Sequence, residues 1–157
     1  FGMTECKQAP TPCTTTLLEA QDKADAKKID FPFREAVGSV MYAMTCTRPD
    51  IAFAVGAVAR HLDSPTTSTV TAVKRILRYL KGTRTIGITL RGPTLKLRAY
   101  ADADYAGDID DRRSTTGLIC FLGLGPISWR SQKQRSVALS TTEPSPTQRR
   151  RWSGSGP

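Results

Sequence analysis

Metal-binding side chains other than carboxylates are scarce in this sequence. It has one histidine, His61, and four cysteines, Cys6, Cys13, Cys46 and Cys120, none of them in a C-x-x-C pair. That excludes a Cys/His zinc cluster. Cys46 and Cys120 lie in apolar runs and read as small buried hydrophobes in a reducing compartment. No apolar run approaches the length of a membrane span, and Phe1-Gly2-Met3-Thr4 shows no signal-peptide pattern. An intracellular protein (cytoplasmic or nuclear, not secreted) with no membrane partner is expected. The opening Phe, in place of Met, points to a fragment or a processed product. Acid is also scarce. Against 23 Lys and Arg stand 14 Asp and Glu, a net charge of +9. The excess suggests a polyanionic partner, nucleic acid first. No acidic residue follows Glu143.

What is present divides into four stretches. Residues 1–29 read as an extended connector, because Pro10, Pro12 and the threonines around Cys13 oppose regular structure. Residues 30–84 read as three helices. Phe33, Val37, Val40, Met41 and Met44 form the apolar stripe of the first, with Asp30 and Pro32 as start signals. Ile51, Ala54, Val55, Val58 and Leu62 form the second, after Thr47-Arg48-Pro49-Asp50, where Thr47 can cap and Pro49 fits the first turn. Val70, Val73, Ile76, Leu77 and Leu80 form the third, which starts near Ser64-Pro65 and stops at Gly82. Its threonine-rich first turns are expected to be its weakest part.

The period then changes from 3.6 to 2. Strands are expected at Thr85–Arg91, Leu95–Ala101, Thr115–Leu122, Pro126–Arg130 and Ser136–Ser140. Tight turns at Gly92-Pro93 and between Gly123 and Gly125 argue an antiparallel sheet. The expected class is therefore α+β, a helical segment followed by a mostly antiparallel sheet over 85–143. Residues 144–157 contain no aliphatic side chain. They cannot bury enough surface to offset ordering entropy, so disorder is expected.

Two groups of residues could carry chemistry. Asp102 and Asp104 are two apart on an expected strand and share a face. Paired carboxylates suit hard cations such as Mg²⁺, although an isolated D-x-D is also what a solvated strand edge carries. Lys74, Arg78 and Lys81 share one face of the third helix at i, i+4 and i+7, with Arg75 beside them. Such a face can track phosphates without reading sequence, or simply be solvated. Arg130 and Lys133, with Arg135, make a second basic cluster at a strand end.

Several blocks, in unbroken order over roughly residues 1–143, resemble copia-type retrotransposon Pol polyproteins. They are Phe33-Arg34-Glu35-Ala36-Val37-Gly38-Ser39-Val40-Met41-Tyr42, Thr47-Arg48-Pro49-Asp50-Ile51-Ala52-Phe53-Ala54-Val55, Lys74-Arg75-Ile76-Leu77-Arg78-Tyr79-Leu80-Lys81-Gly82-Thr83, Tyr100-Ala101-Asp102-Ala103-Asp104-Tyr105-Ala106-Gly107-Asp108, Asp111-Arg112-Arg113-Ser114-Thr115-Thr116-Gly117 and Gly125-Pro126-Ile127-Ser128-Trp129. The resemblance implies a connector after the polymerase palm at 1–29. It implies the thumb or connection region of reverse transcriptase at 30–84, and the first half of a ribonuclease H domain at 85–143. In the intact family that region holds RNA–DNA hybrid and cleaves its RNA strand with two Mg²⁺ ions. Asp102 falls at the first metal-binding aspartate, and Asp104 beside it.

The departure comes at the next acid. The family block after Ser140-Thr141-Thr142 reads Glu-Ala-Glu-Tyr and opens a helix; here it reads Glu143-Pro144-Ser145-Pro146. Ser145 takes the ligand's place, Glu143 becomes its neighbour, and Pro146 opposes the helix. A single-base frameshift turning an Ala-Glu codon pair into Pro-Ser would produce this break and the unrelated tail at 144–157; a mispredicted exon boundary would do the same. The implied protein is a catalytically inactive fragment lacking the remaining polymerase and ribonuclease H portions. The alternatives are a nucleic-acid-binding module without catalysis, and a hybrid nuclease completed in trans. The apolar face of Ile119, Phe121, Ile127 and Trp129 is left either exposed or packed on the upstream helices.

Overall fold

A computed structural model describes residues 1–14, 29–92, 95–103 and 114–134. Among the described residues it is an α+β arrangement of three α-helices followed by a three-stranded antiparallel sheet. The helices are α1 (Phe33–Cys46), α2 (Ala52–Ala59, entered through a 3-10 turn at Pro49–Ile51) and α3 (Thr67–Gly82). The strands are β1 (Leu97–Ala103), β2 (Thr115–Leu122) and β3 (Gly125–Lys133), in the order β1-β2-β3.

The helices form because their apolar residues recur at helical spacing. From α1, Phe33, Ala36, Val37 and Val40 point into one core. From α3, Val70, Ala72, Val73 and Ile76 meet them. Between the two lies α2, apolar almost all round, as a helix enclosed by neighbours should be. Its Ala54, Val55 and Val58 are buried together with Ile51 from the turn before it. Full burial of one such side chain stabilises the fold by about 1.5–3 kcal/mol. Met41 departs from the expected stripe. It is an exposed residue at the edge of α1, and Ala36 takes the buried place.

Helix ends also differ from expectation. Thr47 terminates α1 and makes no cap for α2, because the chain enters α2 through the proline turn, whose N-cap is Arg48. The start of α3 is not weak. Thr66 Oγ1 accepts from the Thr69 N–H at 3.2 Å, and Thr69 Oγ1 accepts from the Thr66 N–H at 2.8 Å. This reciprocal capping box satisfies two N–H groups that a helix start otherwise leaves unpaired. The threonines that lower propensity inside a helix stabilise its first turn. Cys46 is exposed at the end of α1 and Cys120 is half-buried in β2, so neither is the buried hydrophobe expected.

A buried arginine fixes the end of α3 to the turn before α2. Arg48 donates to Asp50 from Nε at 2.9 Å and from Nη2 at 2.7 Å. It also donates to the Thr83 carbonyl and hydroxyl oxygens at 3.1 and 2.7 Å. Tyr79 donates its hydroxyl proton to Asp50 at 2.8 Å, and its ring lies 5.5 Å from the guanidinium carbon. The hydrogen bonds from Arg48 hold the Asp50 carboxyl below its ordinary range, with the Tyr79 hydroxyl adding to the effect.

In the sheet, β2 matches its expected bounds, β1 lies two residues later than expected and β3 is longer. The expected strand at Thr85–Arg91 does not form. Alternation makes a segment compatible with a sheet, but a strand also needs a partner's ladder of hydrogen bonds. This segment has Leu124 N–H donating to the Arg91 oxygen at 2.9 Å and no paired strand. It passes close over the β2–β3 turn. A Cβ on Gly125 would fall 2.6 Å from the Thr89 oxygen, so only glycine fits there. Gly123, with φ 63°, supplies the left-handed backbone that reverses the chain. The expected strand at Ser136–Ser140 and the expected disorder of 144–157 fall outside the described residues.

The sheet meets the helices through β3, which packs on α2. The Trp129 indole N–H donates to the Met44 oxygen at 2.8 Å. Of the apolar sheet residues left open by the sequence, Ile119, Phe121 and Trp129 are half-buried and Ile127 is exposed.

Candidate nucleic-acid interface

The four basic residues of α3 stand on a helix held at both ends, by the capping box and by the Arg48 contacts to Thr83. Their head groups do not simply face outward. Lys81 Nζ donates to the backbone oxygens of Thr4 and Cys6 at 2.5 and 2.8 Å. Arg78 Nε donates to the Lys7 oxygen at 2.6 Å. Arg75 Nη2 donates to Thr11 Oγ1 at 2.8 Å, and its Nε is buried with no hydrogen-bond partner among the described residues. Lys74 Nζ lies 5.0 Å over the Phe31 ring, a cation–π contact. Arg75, Arg78 and Lys81 thus line a seam between α3 and the N-terminal segment, while Lys74 lies over Phe31. Burial raises the Cys13 thiol pKa at the end of that seam, and the nearby Arg75 charge pulls the other way.

Arg130 and Lys133 stand on β3, away from α3. Arg130 is exposed and pairs across the sheet with Leu118; Lys133 is half-buried opposite Thr115. The structure therefore brings Lys74, Arg75, Arg78 and Lys81 onto one element and places Arg130 and Lys133 on another.

Asp102 is exposed on β1 opposite Gly117. Alternation places it on the same sheet face as Tyr100 and Arg98. Arg98 donates to the Gly123 oxygen at 2.8 Å, and Tyr100 meets Phe121 edge-on at 6.0 Å. Asp104 and Glu143 lie outside the described residues. Among the described residues no group of three His, Cys, Asp or Glu side chains could hold a metal ion.

Sequence reasoning missed the acceptors on Thr4, Cys6 and Lys7. They are backbone oxygens, which carry no residue-type signal. Nor does the motif holding Arg48 and Asp50 show that both meet Tyr79, 29 residues beyond Asp50. The charge pair two residues apart was the available signal.

Comparison with known proteins gives this geometry a context. The chain is 46% identical over 154 residues to the retrovirus-related Pol polyprotein from transposon TNT 1-94 of Nicotiana tabacum, covering 91% of this chain and 11% of that protein. It is 52% identical over 112 residues to the corresponding polyprotein from transposon RE1 of Arabidopsis thaliana, covering 71% of this chain and 8% of that one. It is 50% identical over 113 residues to the secreted RxLR effector protein 161 of Plasmopara viticola, covering 71% of this chain and 80% of that protein. The chain thus spans about a tenth of the length of these two polyproteins. No protein-family model and no solved structure matches it. Among the described residues no helix is long and apolar enough to cross a membrane.

Proposed function

We propose, from its similarity to part of the retrovirus-related Pol polyproteins of plant transposons, that the chain is the copia-type stretch joining the end of reverse transcriptase to the start of ribonuclease H. Its role in the intact polyprotein is to hold RNA–DNA hybrid by the phosphate backbone. The observation that carries this reading is the basic array of Lys74, Arg75, Arg78 and Lys81 on one helix fixed at both ends. Rigid cations at one-turn spacing contact phosphates without reading bases. Arg130 and Lys133 on β3 form a second, separate basic pair.

By the same reading this chain does not cleave hybrid. Asp102 supplies one carboxylate on a strand, whereas two-metal hydrolysis needs a cluster of them. Ser145 stands where the family pattern has a glutamate, and Pro146 opposes the helix that would carry it. Mg²⁺ would supply the water-activating and charge-stabilising chemistry in the intact family.

Fluorescence anisotropy with a labelled RNA–DNA hybrid tests the reading. Binding should weaken steeply with salt. Joint substitution of Arg78→Gln and Lys81→Gln should reduce the log–log salt slope by about 2. An unchanged slope sinks the assignment to α3. Hybrid cleavage in Mg²⁺ that disappears in Asp102→Asn would overturn the proposed inactivity and favour a nuclease completed in trans.

A further inference from the structure

The N-terminal segment forms neither helix nor strand, yet it is bound along α3. Lys81 holds Thr4 and Cys6, Arg78 holds Lys7, and Arg75 holds Thr11. In the reverse sense the Ala9 N–H donates to the Arg78 backbone oxygen at 3.3 Å. Ala9 is buried, and Gln8 lies so close over Gly82 that a Cβ there would be 3.3 Å from the Gln8 Cβ. The segment therefore runs antiparallel to α3, from its last turn toward its middle.

The acceptors given to Arg75, Arg78 and Lys81 are neutral oxygens. An ionised phosphate oxygen in the same place would make a charge-assisted bond, roughly twice as strong as a neutral one. Most of these contacts lie at the surface, where exchange with a competing anion needs no opening of the core. We propose that residues 4–11 are a strap that occupies the polyanion-binding face of α3 in cis and is displaced when nucleic-acid phosphates bind. The strap sets the affinity of the basic helix and keeps it from unselective contact with other polyanions. This rests on the nucleic-acid reading above and adds a closed state to it.

A reversible lock tests the strap in the full chain. With Cys6, Cys13, Cys46 and Cys120 replaced by serine, Gln8→Cys and Gly82→Cys put two thiols near the ~3.5–4.5 Å Cβ separation of a disulfide. Oxidation pins the strap and reduction frees it, and each state is titrated with labelled RNA–DNA hybrid across a salt series. The oxidised protein should bind about tenfold more weakly, with a log–log salt slope shallower by about 2–3. Equal affinity and slope in the two states overturn the strap while leaving the nucleic-acid reading intact. Should the lock fail to form or unfold the protein, Ala9→Pro carries the test alone. It removes the N–H that bonds Arg78 and should tighten hybrid binding relative to the unmodified chain; unchanged or weaker binding overturns the strap. Absence of hybrid binding in the reduced, oxidised and Ala9→Pro proteins alike removes the nucleic-acid reading and the strap with it.

Discussion

The helical and sheet portions reach order by different routes. Among the described residues, every buried apolar side chain except Ala9 belongs to α1, α2, α3 or the turn before α2. Ile51, Val37 and Val73 have no exposed surface there. Among the described residues no strand contributes a fully buried apolar side chain, and Leu97 and Ile127 are 68% and 46% exposed. The sheet is held by its ladders and by one packed edge on α2. Three helices can enclose a core among themselves, whereas one sheet has two faces and needs covering layers to bury either. Stability in this chain should accordingly be concentrated before residue 84.

Core truncation gives the sharpest test of that contrast. Ile51→Ala should cost about 3 kcal/mol in denaturant unfolding. Leu97→Ala should stay within about 0.5 kcal/mol, as exposed substitutions do. Comparable losses at the two sites would mean that the sheet face is buried in solution.

Next in size is the Arg48 cluster. Arg48→Ala should cost about 2 kcal/mol, because it removes hydrogen bonds to a carboxylate and leaves Asp50 with Tyr79 alone. Its pH dependence has a definite sign. The folded Asp50 pKa lies below its unfolded value, so the stabilisation is present above about pH 4 and is lost as pH falls through the folded value. Acid titration of unfolding stability should therefore be shallower in Arg48→Ala than in the parent chain. Identical acid profiles would show that the cluster does not hold the Asp50 charge.

Smaller still is the bond joining the two portions. Trp129→Phe keeps most of the ring packing and removes the donor to Met44. It should cost about 1 kcal/mol and lower hydrogen-exchange protection in β3 more than in α1. Equal loss of protection in both would show one cooperative unit rather than a stable half and a dependent one.

Much of the helical portion was legible because burial and helical period coincide. Val37, Val40, Val55, Val58, Val73 and Ile76 were all expected in apolar stripes, and each is buried. The errors arose where a residue's role depends on partners distant in sequence. Met41 fits the helical stripe but stays 39% exposed at the edge of α1. Thr85–Arg91 alternates like a strand, but no second strand pairs with it. The basic face of α3 was visible as a charge pattern. Its contacts with Thr4, Cys6, Lys7 and Thr11 were not, because three of the four are made to backbone oxygens.

Residue type and spacing alone establish three helices, a glycine-marked turn between β2 and β3, a basic helix face and a carboxylate at Asp102. Those are local properties. The tertiary structure adds that the core closes among the helices, that β3 packs on α2, and that the N-terminal segment lies on cations of α3. These outcomes depend on which surfaces meet. A hydrogen-bond donor takes whichever acceptor the fold brings within about 3 Å, whatever residue supplies it.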